Sequence, residues 1–190
     1  MAAGRGHAPG EIAESELRIE RFRETAKVRD FDCGNKELND FLNTEEVENY
    51  EREKLGKTHL VYWQAEGALV GYFTISSESL RTEYFHSVKG FSIPSEIRLN
   101  AVPGILIGRL ATDRRYQGRG VGSNMLRYIA GLALASPAAA RCLFLEAYPE
   151  SIQFYKKFDF VVVEHQKLKH RRNRIMVYDL VMHPEWQRTR

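Results

Sequence analysis

The chain has 190 residues, 43% of them hydrophobic, with 28 Lys and Arg against 25 Asp and Glu and a net charge of +3. That length suits one domain with a sizeable core. The near balance of charge excludes a uniformly basic nucleic-acid coat, and no apolar run is long enough to span a bilayer, so no membrane partner is expected.

Residues 1–10 are small and polar and lack the apolar segment of a secretory signal, so a disordered tail is expected over 1–14. A first strand is predicted over 17–22. Asn35 is placed to cap a helix carrying Leu38, Phe41 and Leu42, and Thr44 to cap a second, charged helix running toward Leu55. The acidic stretch from Glu45, Glu46 and Glu48 to Glu53 would repel an RNA, so any RNA is expected on another face. Residues 59–63 and 69–75 read as strands joined by a tight turn at Glu66-Gly67. The stretch 80–104, with Pro94 and Pro103, is expected to be irregular. Cys142 falls in an apolar strand, 142–148. Neither it nor Cys33 has metal-ligand spacing to histidine, so free thiols, no metal and a reducing cytoplasm are expected.

The most informative stretch runs from Ile105 to Gly122. An apolar strand ends in Arg109-Leu110-Ala111-Thr112-Asp113. Then come Arg114, Arg115 and a glycine-rich turn with Gly118, Gly120 and Gly122. A helix follows whose apolar positions Val121, Met125, Ile129 and Leu132 recur every three or four residues. Unpaired N–H groups at a helix start carry partial positive charge and suit a phosphate or pyrophosphate, and glycines let backbone come close to it. A P-loop would need a Lys after its last glycine, and a dinucleotide fingerprint needs G-x-G-x-x-G; neither is present. Further on, Arg141 to Tyr148 reads as a buried strand. Pro149 opens a helix of two turns carrying Phe154, Tyr155 and Phe158. Strands over 160–164 and 175–182 enclose the basic run Lys167-Leu168-Lys169-His170-Arg171-Arg172-Asn173-Arg174.

Gln117-x-x-Gly120-x-Gly122 resembles the pyrophosphate signature of the GNAT superfamily of acetyl-CoA-dependent N-acetyltransferases. Phe154-Tyr155-x-x-Phe158-x-Phe160 resembles its F-Y-x-x-x-G-F element, with Asp159 in place of the glycine. Tyr148 and Ser151 stand where many relatives carry Asn and Ala, so the Asn contact to the CoA arm is not expected. The element order is also that of the GNAT fold. The resemblance implies an α/β single domain over 15–184, with a mixed central β-sheet flanked by helices and a C-terminal tail over 185–190. It implies acetyl-CoA as co-substrate without metal. Leu110, Ala111 and Thr112 would meet the pantetheine and the acetyl oxygen. Gln117, Gly118, Arg119, Gly120, Val121 and Gly122 would take the pyrophosphate, and Tyr155 would give a proton to the leaving thiolate.

A narrower likeness joins the superfamily one. Phe31-Asp32-Cys33-Gly34-Asn35-x-x-Leu38-Asn39-x-Phe41-Leu42 is similar to the opening of the acetyltransferase toxins of bacterial toxin–antitoxin pairs. Gly71-Tyr72-Phe73-Thr74-Ile75-Ser76-Ser77 and Gly108-Arg109-Leu110-Ala111-Thr112-Asp113 are similar to two of their strands. Those toxins acetylate the amino group of an aminoacyl-tRNA. The resemblance therefore implies that substrate, with a small antitoxin protein as partner. A GNAT enzyme for a small amine or a protein amine, and a non-catalytic acyl-CoA-binding module, stay open at this point, as does a homodimer.

Two roles rest on the residues themselves. Glu146 ends the strand beside the cradle and is a candidate general base, as is Glu78; taken alone, each reads more readily as a solvated carboxylate. An α-amine of pKa about 7.7–8.0 needs less of a base than a lysine amine near about 10.4, which favours an aminoacyl ester. Lys169, Arg171, Arg172 and Arg174 are candidate contacts to RNA phosphates, with a solvated hairpin tip as the alternative.

Overall fold

The computed structural model describes residues 10–23, 28 and 30–182. The tail expected over 185–190, and the first nine residues of the one expected over 1–14, lie outside the described residues. The elements in order are β1 (Leu17–Arg21), α1 (Lys36–Asn43), α2 (Glu46–Arg52), β2 (Lys57–Trp63), β3 (Ala68–Arg81), β4 (Ala101–Thr112), α3 (Val121–Ala135), β5 (Cys142–Ala147), α4 (Ile152–Lys156), β6 (Val161–Val162) and β7 (Arg174–Asp179). The strands form a mixed sheet in the order β1-β2-β3-β4-β5-β7-β6. β4 and β5 are parallel, while β1–β2, β2–β3, β5–β7 and β6–β7 are antiparallel. The expected α/β class and the expected order of elements are both present.

The chain folds as two compact units. The first, residues 1–75 with 109–127, is organised by its early helices. Asn35 caps α1, its side chain accepting from the Leu38 N–H at 3.3 Å, as its residue type predicts. The Thr44 hydroxyl accepts from the Glu46 N–H at 3.2 Å. α2 stops at Arg52, short of Leu55, because Lys54 adopts a positive φ of 57° that no helix continues through. The inward faces of both helices put Phe41, Leu42 and Val47 into a core with Phe22, Phe31, Leu60, Tyr72 and Ala111. The Glu66-Gly67 turn is present, with Gly67 at φ 63°.

The second unit, residues 76–108 with 128–190, departs more from expectation. β3 runs on to Arg81, and β4 already begins at Ala101, so Pro103 and Gly104 are strand residues and not part of an irregular stretch. The proline is tolerated because it lies just ahead of the first β4–β5 pair, Gly104 with Cys142, where that ladder asks for no N–H; its carbonyl still accepts from the Arg141 N–H at 2.9 Å. Gly104 is required: a Cβ would stand 2.2 Å from the Cys142 carbonyl oxygen. The core gathers Phe85, Val88, Val102, Cys142, Phe144, Val163, Leu168 and Val177. β6 is only two residues long and β7 ends at Asp179, both shorter than the strands expected there. Asp159 turns the chain into Phe160 at φ 60°, a conformation that Asp accepts better than most residues. Along α3 the buried face is broader than the expected stripe: Leu126, Ala130 and Ala133 join Val121, Met125 and Ile129, while Leu132 is only partly buried.

Candidate functional site

The loop between β4 and α3 is tied at nearly every residue, and the ties come from its polar side chains. Asp113, 1% exposed, accepts from the Arg115 backbone N–H at 3.0 Å and from its guanidinium at 2.8 and 3.0 Å. It also accepts from the Asp32 N–H at 3.3 Å. Burial pushes this carboxyl's pKa up, but the Arg115 side chain and backbone bonds outweigh it and hold the group below the usual carboxylate range. The Gln117 side chain donates to the carbonyls of Thr112 (3.0 Å) and Cys33 (2.9 Å), joining the end of β4 to the stretch before α1. Gln117 therefore braces the loop with its amide, where the motif alone placed it among ligand contacts.

Gly118 and Gly120 have φ of 74° and 83°, a region that side chains rarely adopt. They turn the chain so that α3 starts at Val121. The Asn124 N–H closes the first helical turn onto the Gly120 carbonyl at 3.0 Å. The N–H groups of the first helical residues have no carbonyl ahead of them within the helix. Donors of this kind, on fixed backbone, have the chemistry that suits an anion. Arg119 does not aim its charge there in this structure. Its guanidinium lies 4.6 Å from the Trp63 ring centroid and donates to the Gly10 carbonyl at 2.8 Å.

On the strand side, the parallel β4–β5 ladder runs from Gly104 to Ile107 and stops, although β4 continues to Thr112. Ala111 is buried, and at Gly71 a Cβ would meet its carbonyl oxygen at 2.8 Å, so glycine there lets β3 come close. Arg109, just before Leu110, is sandwiched: its guanidinium sits 3.6 Å from the Phe41 centroid and pairs with Glu46 at 3.2 Å.

In the second unit, Tyr155 is 8% exposed and packs edge-on to Phe160 at 5.7 Å. Burial pushes its phenol well above the ordinary value, so it stays protonated at neutral pH. Glu146 is bonded to the Arg171 guanidinium, which brings a candidate base and a candidate substrate contact together in one ion pair. The basic loop is not a bare tip. Leu168 is buried in the core, Lys167 pairs with Glu83 at 3.2 Å, and Arg174 Nη1 donates to the Lys169 carbonyl at 3.4 Å. Lys169 and Arg172 are exposed.

Sequence reasoning missed two parts of the cradle. Ile12, in the expected tail, is buried and bonded to the loop, and Asn124 is a buried polar residue on α3. A lone isoleucine among polar residues, and an asparagine on an apolar helix face, were the only signals. Among the described residues no group of His, Cys, Asp or Glu could hold a metal ion, and no helix is long and apolar enough to cross a membrane.

Residues 21–160 match the Acetyltransferase (GNAT) family. The chain is 30% identical over 148 residues to a tRNA-acetylating toxin of Mycobacterium tuberculosis, a match covering 75% of this chain and 82% of that protein. Among solved structures, a bacterial toxin superposes with a TM-score of 0.75 at 19% identity, covering 92% of this chain and 96% of the other. AtaT complexed with acetyl-methionyl-tRNAfMet gives 0.69 at 25% identity, over 87% and 96%. A Tyr-to-Phe mutant of AtaT, bound to acetyl-CoA and the C-terminus of the antitoxin AtaR, gives 0.67 at 22% identity, over 92% and 99%.

Proposed function

This chain belongs to the acetyltransferase (GNAT) family, and we propose that it moves the acetyl group of acetyl-CoA to the α-amino group of an aminoacyl-tRNA. The observation that carries the substrate is the likeness to a tRNA-acetylating toxin across most of both chains. The same likeness supports a role as the toxin of a toxin–antitoxin pair, with a small antitoxin protein as partner, acting in the cytoplasm where charged tRNA is found.

The chemistry follows from the residues. The amides leading into α3, from Gly118 to Gly122, hold the pyrophosphate, and the helix dipole adds to their field. Beyond Ile107 β4 has no ladder to β5, and the backbone of Leu110, Ala111 and Thr112 on that edge, apart from the Thr112 carbonyl held by Gln117, is left for the pantetheine and the thioester oxygen. The amine attacks the thioester carbon, the C–S bond breaks, and the proton lost by nitrogen is balanced by one gained at sulfur. By its place in the F-Y element, Tyr155 is assigned to that sulfur in this reading. Burial raises its pKa and keeps it protonated, so its contribution is a hydrogen bond to the charge developing on sulfur, and the departed thiolate takes its proton from solvent. Glu146 acts as base only when its pair with Arg171 opens; an α-amine of pKa about 7.7–8.0, lowered further by its ester, is already largely neutral and has little need of one.

The test is to incubate the protein with labelled acetyl-CoA and a mixture of total charged tRNA, polyamines and cell protein. Label in RNA, released by mild alkali as an N-acetyl amino acid, supports the proposal. Label in polyamine or protein replaces the substrate. Binding of acetyl-CoA without transfer to any of them would make the chain a non-catalytic module.

A further inference from the structure

Each peptide unit is planar and trans, so the carbonyl of one residue and the N–H of the next point in opposite directions. In the loop before α3, whatever holds the carbonyls of Arg119 and Gly120 therefore sets where the N–H groups of Gly120 and Val121 aim. The Gly120 carbonyl is held from within the helix by the Asn124 N–H. The Arg119 carbonyl is held from outside it, accepting from the Ile12 N–H at 2.9 Å.

Ile12 is itself anchored. Its side chain is 1% exposed, and its carbonyl accepts from Asn124 Nδ2 at 3.0 Å. Arg127 Nη1 donates to Asn124 Oδ1 at 2.8 Å, which orients that amide so that its NH2 faces Ile12. Arg119 Nε adds a bond to the Gly10 carbonyl. A polar side chain buried in an apolar face is costly unless it is bonded. Here both ends of the Asn124 amide are used, one of them on a segment more than a hundred residues away in the chain.

We propose that the Gly10–Ile12 segment, seated by Asn124, positions the Gly120 amide for the pyrophosphate of the acetyl donor. Ile12 and Asn124 are positioning residues of the donor site; this rests on the reading of the cradle given above. Gly120 most needs such a tie, because it lacks the Cβ that would restrict its rotation and sits at φ 83°. With the tie removed, the peptide ahead of Gly120 turns freely, and its N–H must be ordered anew each time the anion binds.

The experiment compares full-length wild type with Ile12→Ala, Asn124→Ala and the double variant. It measures affinity for acetyl-CoA by calorimetry and for S-acetylpantetheine, which lacks the pyrophosphate, by competition. Acetyl-CoA binding should weaken about tenfold in each single variant, the loss of a good part of one hydrogen bond to a charged group. The double variant should lose little more than either single one, since both residues serve one tie. S-acetylpantetheine affinity should stay unchanged, which also shows that the variants are folded. Equal weakening of both ligands would mean general loosening and would overturn the proposal. Unchanged acetyl-CoA affinity, while Gly120→Asp abolishes it, overturns the strap and leaves the cradle standing. Unchanged affinity in Gly120→Asp as well overturns both.

Discussion

The loop before α3 and the basic loop after β6 both looked, as sequence, like clusters of positive charge beside a turn. They are built differently. The first keeps its arginines busy with structure: Arg115 is spent on Asp113 and Arg119 on Trp63 and Gly10, and in the proposed function its anion is left to oriented backbone. The second has little regular backbone, and its side chains divide into committed and exposed. Lys167 and Arg171 hold Glu83 and Glu146, whereas Lys169 and Arg172 face solvent. Counting charge therefore says little about which charge is available. Fixed amides suit a small, invariant group such as a pyrophosphate. Long flexible side chains suit an extended polyanion whose register can vary.

The sharpest way to break this comparison is to show that either loop does chemistry. In the present reading neither does, and turnover depends on Tyr155. Tyr155→Phe keeps the ring that packs on Phe160 and removes only the hydroxyl. Turnover should fall about 10²–10³-fold, the loss of one hydrogen bond to the developing charge, while acetyl-CoA and tRNA affinities hold. Full turnover in pre-steady-state assays would take Tyr155 out of the mechanism.

Next in size is the backbone seat itself. Gly120→Asp forces a side chain into positive φ, brings it to about the 3.0 Å at which a Cβ meets the Glu11 carboxylate, and sets a negative charge beside the anion's seat. Acetyl-CoA affinity should drop at least about a hundredfold, and calorimetry on the folded variant decides it. Gly118→Ala separates the causes. It shares the positive φ, but its Cβ would meet nothing within 4 Å, so it should cost only about 1 kcal/mol of backbone strain.

The basic loop predicts a smaller, salt-dependent effect. Changing Lys169, Arg171, Arg172 and Arg174 together to Gln should weaken tRNA binding and lower its salt slope, by about one unit for each phosphate no longer neutralised. The geometry sharpens this. Lys169→Gln with Arg172→Gln should account for most of the change, and Arg171→Gln with Arg174→Gln for less, because those two already have partners. Equal slopes for wild type and the quadruple variant would reduce the loop to a solvated turn and move a small-amine substrate ahead.

The smallest effect concerns pH. Asp113 has a depressed folded pKa, so its contribution to stability is fully present above the unfolded value of about 3.9 and is lost as pH falls through the folded one. Thermal unfolding should show an acid limb below about pH 4 that Asp113→Asn flattens, with a cost near neutrality of a few degrees. Glu83, lowered by its bond to Lys167, titrates in the same direction, but it is only partly buried. Glu83→Gln should hardly change the curve, and a large change there would mean that the basic loop is held as firmly as the cradle.

What the sequence determined by itself was whatever depends on near neighbours in the chain. Asn35 caps α1 because its side chain reaches an N–H three residues on. Gly118 and Gly120 mark the turn because only glycine adopts those angles cheaply. The period of Val121, Met125 and Ile129 marks α3 because a helix repeats every 3.6 residues. The element order was legible for the same reason. The tertiary structure alone decided the partners of long side chains and of carbonyls far apart in the chain. Arg171 and Glu146 are 25 residues apart, and nothing local says that they meet. Pro103 read as a breaker, yet it lies ahead of the first β4–β5 pair, where no N–H is asked of it, and Ile12 read as tail until Arg119 and Asn124 supplied partners for its backbone. A hydrogen bond is indifferent to how much chain separates its ends, and sequence pattern reports only on what lies within a few turns of itself.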